Sequence, residues 1–508
     1  MNQKGMNRRE FLKVTSLGLL GGYLGLRPAP LFGRMHHGDD HVINPPVGDI
    51  FNDPVEMPFV NTSLGVKEVF LDVKTTSVSI NGTTANLLTY NGHFPAPTIR
   101  VDKGDLLRLR FSNSLPYTTQ KNILGHQKNI TNLHTHGWHV SPSGNSDNIF
   151  LHFMPSDEFM FEYDTSRQEA GTLNFYHPHV HGLVAEQMWA GLSVALVVND
   201  ETDVLADYET HIIVLKDLSL NGSEPTPYNR MDYMRGKEGN IVVVNGQVNP
   251  VLSIRPGQVQ RWRILNASTA KFYKLSLENH TFYLVGTDGG LLDRPYPLSN
   301  ILLAPGERID VLVAANQAPG TYRLLSLPYN RGGMMMGGMM MEGNTTQTII
   351  LMTLSYNGNP VNDNIPPLIN PNARRLTINT SNLQKRRLVL SMRMGRGLIN
   401  GQDFEVNPYT ITSRLGTYEI WKIINQSGMD HPFHQHVNSS QILSIQGGNQ
   451  TYASLYTSTP SWKDTIIVPK WGSVTMLVPV MDFTGKTVFH CHIVEHEDIG
   501  MMGVWRIM

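Results

Sequence analysis

The segment 490–502 reads HCHIVEHEDIGMM and contains Cys491, the only cysteine of this 508-residue chain. Successive side chains of a strand point to opposite faces, so Cys491 points one way and the two flanking histidines point together the other way. The thiolate, the imidazole of His496 and the thioether of Met501 make up most of a blue-copper electron-transfer site, which needs one further histidine. The segment therefore predicts two neighbouring metal sites that share one strand.

Further histidines lie upstream in three groups with the spacing of metal ligands. The groups are His134 and His136, His177 and His179, and His431, His434 and His436. Histidines two residues apart on a strand lie about 6 to 7 Å apart on one face, so a pair can bind two neighbouring metals or one metal twice. With His490, His492 and His496 the chain offers ten imidazoles and one thiolate. Zinc also takes these donors, but a structural zinc site closes with four ligands and cannot use so many.

The order of these four groups along the chain resembles the order of the copper-ligand motifs in the multicopper oxidases. That family includes laccases, bilirubin oxidases, ascorbate oxidases and bacterial cuprous oxidases. The resemblance covers nearly the whole mature chain and implies four copper ions: one type 1, one type 2 and a type 3 pair. By motif position, the implied type 1 ligands are His431, Cys491, His496 and the axial Met501, with Met502 as a further axial candidate. The implied type 2 ligands are His134 and His434, and the implied type 3 ligands are His136, His177, His179, His436, His490 and His492. Three nearby histidines match no ligand position and are interpreted as supporting or structural: His139, His152 and His181.

Two acidic residues are candidates for proton transfer. Glu497 directly follows His496 and matches the residue that passes protons toward bound oxygen in bacterial members of the family. The alternative is an ordinary solvated glutamate, because glutamate is usually exposed. Asp147 is the second candidate by its place after the first histidine pair, although the family acid often falls at the position held here by Asn145.

An internal repeat predicts three domains. In each copy the dipeptide Asn-Gly is followed by a second glycine, an alternating strand and an asparagine. The second glycine and the asparagine are nine residues apart in every copy. The copies are Asn91-Gly92 with Gly104 and Asn113, Asn245-Gly246 with Gly257 and Asn266, and Asn400-Gly401 with Gly416 and Asn425. Short strands between Gly, Pro and Asn turns favour β-sandwich or Greek-key modules. Three such repeats resemble the cupredoxin domains of the family.

The expected fold is therefore all-β, with three cupredoxin-like Greek-key β-sandwich domains. The predicted domains cover 46–203, 204–365 and 366–508, and the last one carries the type 1 site. A signal peptide and linker are predicted over 1–45. The length of the chain agrees with three domains of about 150 residues each.

The N-terminal residues have the pattern of an export signal peptide. Residues 7–13, NRREFLK, resemble a twin-arginine signal and precede an apolar, glycine-rich run at 14–26. That run falls short of the ~20 apolar residues of a membrane span, so no stable membrane insertion is expected after signal cleavage. The predicted destination is the periplasm or the exterior of a prokaryotic cell. In the linker, His36, His37 and His41 either belong to a flexible tail or collect metal ions.

A methionine-rich segment indicates which reductant the protein oxidises. Met334, Met335, Met336, Met339, Met340 and Met341 are interrupted only by two glycines. Thioethers are soft ligands that select Cu(I), and the segment resembles the Met-rich insertion that covers the type 1 site of bacterial cuprous oxidases. The alternative is a mobile loop between strands. Met429 and Asp430 are predicted to lie near the substrate edge, and Met429 agrees with the cuprous-oxidase pattern, whereas Ser427 stands where that pattern has an acidic residue.

Together the residues and the resemblance predict an oxidase that reduces O2 to water. Its expected reductants are Cu(I), in metal tolerance, and small phenols or aromatic amines. One alternative is a general laccase-type phenol oxidase whose methionine segment is incidental. An alternative of another class is a non-catalytic copper-binding or envelope interaction protein on the same fold. A net charge of −1 gives no reason to expect a nucleic acid partner.

Overall fold

The computed structural model describes residues 42–199, 204–336, 339–342 and 347–508. The predicted export signal and the linker histidines His36, His37 and His41 lie outside these ranges. Within the ranges, no helix is both long enough and apolar enough to cross a membrane.

Short strands and one helix make up the N-terminal third of the described chain. They are β1 (Val42–Ile43), β2 (Asn61–Ser63), β3 (Val66–Ile80), β4 (Thr83–Tyr90), β5 (Ile99–Asp102), β6 (Leu106–Asn113), β7 (His134–His136), β8 (Glu158–Asp164), β9 (Leu173–His177), α1 (Val184–Trp189) and β10 (Val194–Asn199).

The middle third repeats this composition. Its elements are β11 (Thr210–Leu218), β12 (Leu220–Asn221), β13 (Glu224–Pro225), α2 (Arg230–Arg235), β14 (Ile241–Val244), β15 (Val251–Ile254), β16 (Val259–Asn266), β17 (Tyr273–Leu277), β18 (Phe282–Thr287), β19 (Gly290–Leu298), β20 (Ile301–Leu303), β21 (Arg308–Ala314), β22 (Thr321–Leu327), β23 (Gly333–Met336), β24 (Met339–Glu342) and β25 (Thr348–Tyr356).

The C-terminal third carries the remaining elements. They are β26 (Gln384–Arg393), β27 (Arg396–Ile399), β28 (Thr410–Ser413), β29 (Thr417–Asn425), β30 (His431–Gln435), β31 (Gln441–Gln446), α3 (Gln450–Ser458), β32 (Thr465–Val468), β33 (Ser473–Val480), β34 (Gly485–Cys491), α4 (Val494–Asp498) and β35 (Met502–Ile507).

Each third supplies most strands of two principal sheets and most residues of one apolar core, and β1 joins a middle sheet. The N-terminal sheets have the strand orders β2-β3-β6-β8, with β4 on β3, and β5-β10-β9-β7. The middle sheets are β14-β11-β16-β21-β18-β19 and β1-β25-β22-β17-β20, with β15 on β25. The C-terminal sheets are β27-β26-β29-β33-β31 and β28-β35-β34-β30-β32. The predicted all-β fold with three cupredoxin-like β-sandwich domains is confirmed, and the domain boundaries stay a prediction.

The repeated asparagines explain why the three units share one pattern. Asn113, Asn266 and Asn425 end β6, β16 and β29, and in each case the side-chain amide donates to two backbone carbonyls. The amide oxygen accepts the N–H group two residues further along the chain. Each asparagine thereby fixes a corner that leads out of a strand. In the third copy this corner leads directly to the start of β30 at His431.

The methionine-rich segment, whose alternative interpretation is a mobile loop, forms a backbone hairpin. Strands β23 and β24 pair antiparallel, with Met334 opposite Met341 and Met336 opposite Met339. Two consecutive glycines between two short runs are a hairpin signal in the sequence.

Candidate metal centres

Strand pairing joins the four histidine groups in two pairs. On the N-terminal side β7 pairs with β9 and places His134 opposite His177. On the C-terminal side β30 pairs with β34 and places His434 opposite His490. The two sheets meet at these strands, because the His134 ring stacks on His436 with centroids 3.9 Å apart and the His136 ring stacks on His434 with centroids 3.7 Å apart.

A triad of His431, Cys491 and His496 forms the first candidate centre. The Cys491 sulfur lies 3.4 Å from His431 Nδ1 and 3.6 Å from His496 Nδ1, and the two Nδ1 atoms are 3.2 Å apart. All three side chains have no exposed surface. Three donors at these separations can surround one ion, in the trigonal arrangement of a blue-copper site.

The two candidate axial methionines lie in different parts of the core. Met501 belongs to the same apolar cluster as Cys491, and its backbone carbonyl accepts the Cys491 N–H group at 3.1 Å. Met502 begins β35 and packs instead with Ile149 and Val488. The structure therefore places Met501, and not Met502, in the apolar cluster that contains the triad.

A second candidate centre contains eight buried histidines. The most compact group is His179, His436 and His490, in which His490 Nε2 lies 3.2 Å from the Nε2 atom of each of the other two. Two further groups have ligand atoms within 4.8 Å of one another: His134 with His136 and His177, and His134 with His434 and His436. His492 completes the set by its ring contacts with His136 and His177.

The chemistry of these donors fits metal ions. Seven histidines of the cluster have a buried ring nitrogen without a hydrogen-bond partner: His134, His136, His177, His179, His434, His436 and His492. Among the described residues outside the cluster, His181 and His211 also have one. Burial lowers the pKa of His431 and His434 to about 3 each and raises the pKa of the Cys491 thiol. Neutral imidazoles with free lone pairs are ready ligands, and a bound cation is what turns a buried thiol into a thiolate.

Glu497 lies beside the eight-histidine cluster and has no exposed surface. Its two carboxylate oxygens lie 3.1 Å from His490 Nδ1 and 3.4 Å from His179 Nδ1. This buried position does not agree with the alternative interpretation of Glu497 as an ordinary solvated glutamate. Glu497 therefore lies within reach of two cluster histidines.

Asp147 lies beside another histidine of the cluster, His134, and is also buried. Its carboxylate contacts His134 Nδ1 at 2.9 and 3.0 Å and accepts the Thr135 N–H group at 2.9 Å. This contact directs His134 Nε2 toward the other histidines. Asn145, at the position where the family acid often falls, is exposed and bonds to Glu162.

The three neighbouring histidines have other roles. His139 contacts the Val437 carbonyl at 2.7 Å and Asp482 at 2.8 Å, which links the N-terminal and C-terminal thirds. His152 is exposed, and His181 packs against Phe404. Their described contacts do not place them among the cluster ligands.

Sequence reasoning missed Asp464 and Arg308. Asp464 lies 3.2 Å from His136 Nε2 and 3.5 Å from His434 Nδ1, and it accepts two hydrogen bonds from the Arg308 guanidinium at 2.6 and 2.7 Å. Arg308 also donates to the Leu173 carbonyl at 3.0 Å, so it joins all three thirds of the chain. Burial acts to raise the pKa of Asp464, but Arg308 holds it well below its ordinary value.

Arg308→Met is expected to lower the free energy of unfolding by about 3 to 5 kcal/mol, because it leaves the Asp464 charge buried without its partner. Urea unfolding followed by circular dichroism measures the change. Arg323→Met is the matched control, since Arg323 pairs with Glu278 at the surface and should lose no more than about 1 kcal/mol. Equal losses in the two variants would contradict the structural role of Arg308.

The outer side of the triad is closed by hydrogen bonds. Ser427 Oγ lies 2.7 Å from His431 Nε2, and the Met234 carbonyl lies 3.3 Å from His496 Nε2. Met429 is buried, and Arg331 Nη1 contacts its sulfur at 2.9 Å. Both oxygens of Asp430 are engaged: one accepts the Tyr329 hydroxyl at 2.6 Å and the other accepts the Lys470 N–H group at 2.7 Å.

Protein-family models and a solved structure match most of this chain. Family models described as multicopper oxidase match residues 72–203, 193–358 and 369–508. A solved multicopper oxidase from Campylobacter jejuni, described as a metallo-oxidase, has a TM-score of 0.76 and 27% identity, and covers 91% of this chain and 96% of that one.

Curated relatives carry three kinds of name. A multicopper oxidase of Staphylococcus haemolyticus is 28% identical over 434 residues, which is 83% of this chain and 84% of the relative. A laccase of Bacillus subtilis is 27% identical over 465 residues, 81% of this chain and 88% of the relative. A cell division protein FtsP of Photorhabdus laumondii is 26% identical over 518 residues, 98% of each chain.

The three family models follow one another in chain order and together cover most of the sequence, including both candidate centres. Because of that coverage, the protein belongs to the multicopper oxidase family, which implies an oxidoreductase that uses copper and O2.

Proposed function

We propose that the protein oxidises Cu(I), and also small phenols or aromatic amines, and reduces O2 to water. The observation that carries this proposal is the position of Cys491 in the triad, with its two sequence neighbours in the eight-histidine cluster. Electrons that enter at the triad then have a covalent path of two residues to the place where O2 is reduced. A copper tolerance role follows from the Cu(I) branch of the proposal.

We assign four copper ions to these donors. His431, Cys491, His496 and Met501 would hold the type 1 copper, and His134 and His434 would hold the type 2 copper. The type 3 pair would be held by His136, His177, His179, His436, His490 and His492. Bound copper supplies one-electron storage at each of the four positions, which allows O2 to take up four electrons. The fit of buried, partnerless imidazole nitrogens supports this assignment.

The surrounding residues position donors and move protons. Asp147 holds the ring of His134 in one orientation through Nδ1. The Asp464 carboxylate, which Arg308 holds, lies 3.2 Å from His136 Nε2. The Asp464 backbone carbonyl and the Thr465 hydroxyl each lie 3.1 Å from His434 Nδ1. We assign proton delivery to Glu497, because its carboxylate is buried beside His179 and His490. Of the acidic residues in α4, Glu497 is the one with these contacts.

The methionine hairpin supports Cu(I) as the reductant. Its base is fixed next to the triad, since Gly333 N–H donates to the Gly428 carbonyl at 3.1 Å and Gly332 bridges to Met429. Met429 and Asp430 are already engaged by neighbours, so we place Cu(I) capture on Met334, Met335, Met336, Met339, Met340 and Met341. The Campylobacter relative is described as a metallo-oxidase, which agrees with this choice.

Replacing the six methionines of 334–341 with glycine and serine is expected to raise the apparent KM for Cu(I), because the soft ligands are lost. Oxidation of 2,6-dimethoxyphenol should persist or rise, since phenols need no thioether ligand. Steady-state O2 uptake with each reductant measures both effects. Met394→Ser, at an exposed methionine elsewhere, is the control.

Two outcomes would change the assignment. Unaltered Cu(I) oxidation would favour the laccase-type alternative, which the Bacillus laccase relative also supports. An equal loss of both activities would instead make the hairpin a structural element. One relative is named as a cell division protein, which agrees with the alternative of an envelope interaction protein. Cys491 and the ten histidines with ligand spacing argue against that alternative.

Export by a twin-arginine pathway to the periplasm or cell exterior completes the proposal. It rests on residues 7–13 and the apolar run 14–26.

A further inference from the structure

Trp471 differs from the other tryptophans of the chain in its exposure. Its side chain is 68% exposed, whereas Trp138, Trp189, Trp262, Trp421 and Trp505 are at most 2% exposed and Trp462 is partly buried. Single exposed apolar side chains are common in proteins, so the backbone and the neighbours of Trp471 decide what it does.

The backbone of Trp471 is unusual for a side chain of this size. It lies in the turn between β32 and β33, two residues before β33, with φ of +56°. The residues two positions before β6, β16 and β21 are Gly104, Gly257 and Gly306, with φ of +100°, +78° and +81°. The same position of these three turns thus carries glycine. A bulky residue with positive φ is an outlier, and such outliers concentrate at functional sites.

Trp471 lies at the outer end of a short path to the type 1 triad. A Cβ atom built on Gly428 would lie 3.8 Å from the indole Nε1 and Cζ2 atoms, so the ring covers that glycine. The Trp471 N–H group donates to the Ser427 carbonyl at 3.2 Å, and Ser427 Oγ lies 2.7 Å from His431 Nε2. His431 itself has no exposed surface.

We infer that Trp471 is the docking residue and the point of electron entry for aromatic reductants, an inference that rests on the proposed function. A flat phenol or aromatic amine stacks on the exposed indole face. A phenol gives up one electron and loses its hydroxyl proton to water, which leaves a phenoxyl radical, and the electron passes by way of Ser427 toward His431. The oxidase reaction then consumes the electron. Two neighbouring contacts hold the turn in place: Lys470 N–H donates to Asp430 at 2.7 Å, and Gly472 N–H donates to the Pro469 carbonyl at 2.8 Å.

Trp471→Gly tests this role in the copper-loaded protein, because glycine suits the turn and removes the indole. We expect anaerobic bleaching of the blue absorption band by 2,6-dimethoxyphenol to slow by about threefold to tenfold, the effect of one lost aromatic contact. Trp471→Phe should recover most of the rate. The melting temperature of Trp471→Gly should not fall, and Tyr117→Ala, at another exposed aromatic residue, should bleach at the wild-type rate.

A binding measurement without copper separates docking from redox chemistry. The same phenol should quench the tryptophan fluorescence of the copper-free wild type saturably, and this quenching should be absent in Trp471→Gly. An unchanged bleaching rate in Trp471→Gly, or equal slowing in Tyr117→Ala, would overturn the inference and leave the proposed function standing. A wild-type protein that has no blue band, or whose band the phenol does not bleach, would overturn the aromatic branch of the proposed function and this inference with it.

Discussion

Cys491→Ser is expected to abolish the blue absorption band and the oxidation of every reductant. The band requires charge transfer from a thiolate to copper, and Cys491 is the only thiol in the chain. The same substitution removes the sulfur from the path between the triad and His490. Serine is close in size to cysteine, so the buried core around position 491 should remain folded and the histidine-only cluster should stay partly loaded.

Absorption spectra and copper analysis of the purified, copper-replete proteins measure this prediction. Met502→Leu is the matched control. Met502 is buried and directly follows Met501 in the sequence, but it packs with Ile149 and Val488, so its variant should keep the band. A blue band in Cys491→Ser would contradict the assignment of the triad. A copper-replete wild type without the band, or with one copper per chain, would contradict the assignment of both centres.

Glu497→Gln is expected to slow the reoxidation of the reduced protein by O2 by roughly 10² to 10⁴-fold, the usual range for loss of a general acid–base group. Glutamine keeps the size and hydrogen bonding of the side chain but carries no titrating proton. Reduction of the type 1 site by Cu(I) should be unaffected, because that half-reaction takes place at the triad. Stopped-flow spectroscopy follows the two half-reactions separately.

Glu495→Gln is the control for this experiment. Glu495 lies on the same helix, α4, and is equally buried, but it accepts the Tyr228 hydroxyl at 2.8 Å and the Lys237 N–H group at 3.1 Å and does not contact the cluster histidines. Its variant should reoxidise at nearly the wild-type rate. Unchanged reoxidation in Glu497→Gln would rule out the proton role, and equal slowing in both variants would reduce it to a general effect of helix α4.

The sequence predicted those features that have a local signature. The Asn-Gly turns and the strand-end asparagines recur at fixed spacing, because each asparagine side chain satisfies backbone groups of its own corner. The ligand candidates were visible because alternation along a strand requires His-X-His spacing wherever two side chains share a face. The β-sandwich class and the paired histidines of the cluster follow from these two regularities. The resemblance to the multicopper oxidases implied the cupredoxin-like fold and the place of His431 in the triad.

The features that escaped prediction depend on contacts between distant parts of the chain. Asp464 and Arg308 are 156 residues apart, and no local pattern connects a buried Lys-Asp-Thr sequence with an arginine in another sheet. The contact of Asp147 with His134 depends on the path of the loop that joins them, which spacing alone does not define. Ser427 was identified as a departure from the cuprous-oxidase pattern, but its contact with His431 became visible only in the folded chain.

The ratio of reductant oxidised to O2 consumed tests the central claim most directly. The copper-replete protein would be supplied with Cu(I), and in a parallel experiment with 2,6-dimethoxyphenol, while an oxygen electrode records uptake and a peroxidase assay detects hydrogen peroxide. A protein that joins a type 1 site to a three-copper cluster should oxidise four equivalents of reductant for each O2 and release no peroxide. Two equivalents per O2 with accumulation of hydrogen peroxide, or no O2 uptake with either reductant, would contradict the account.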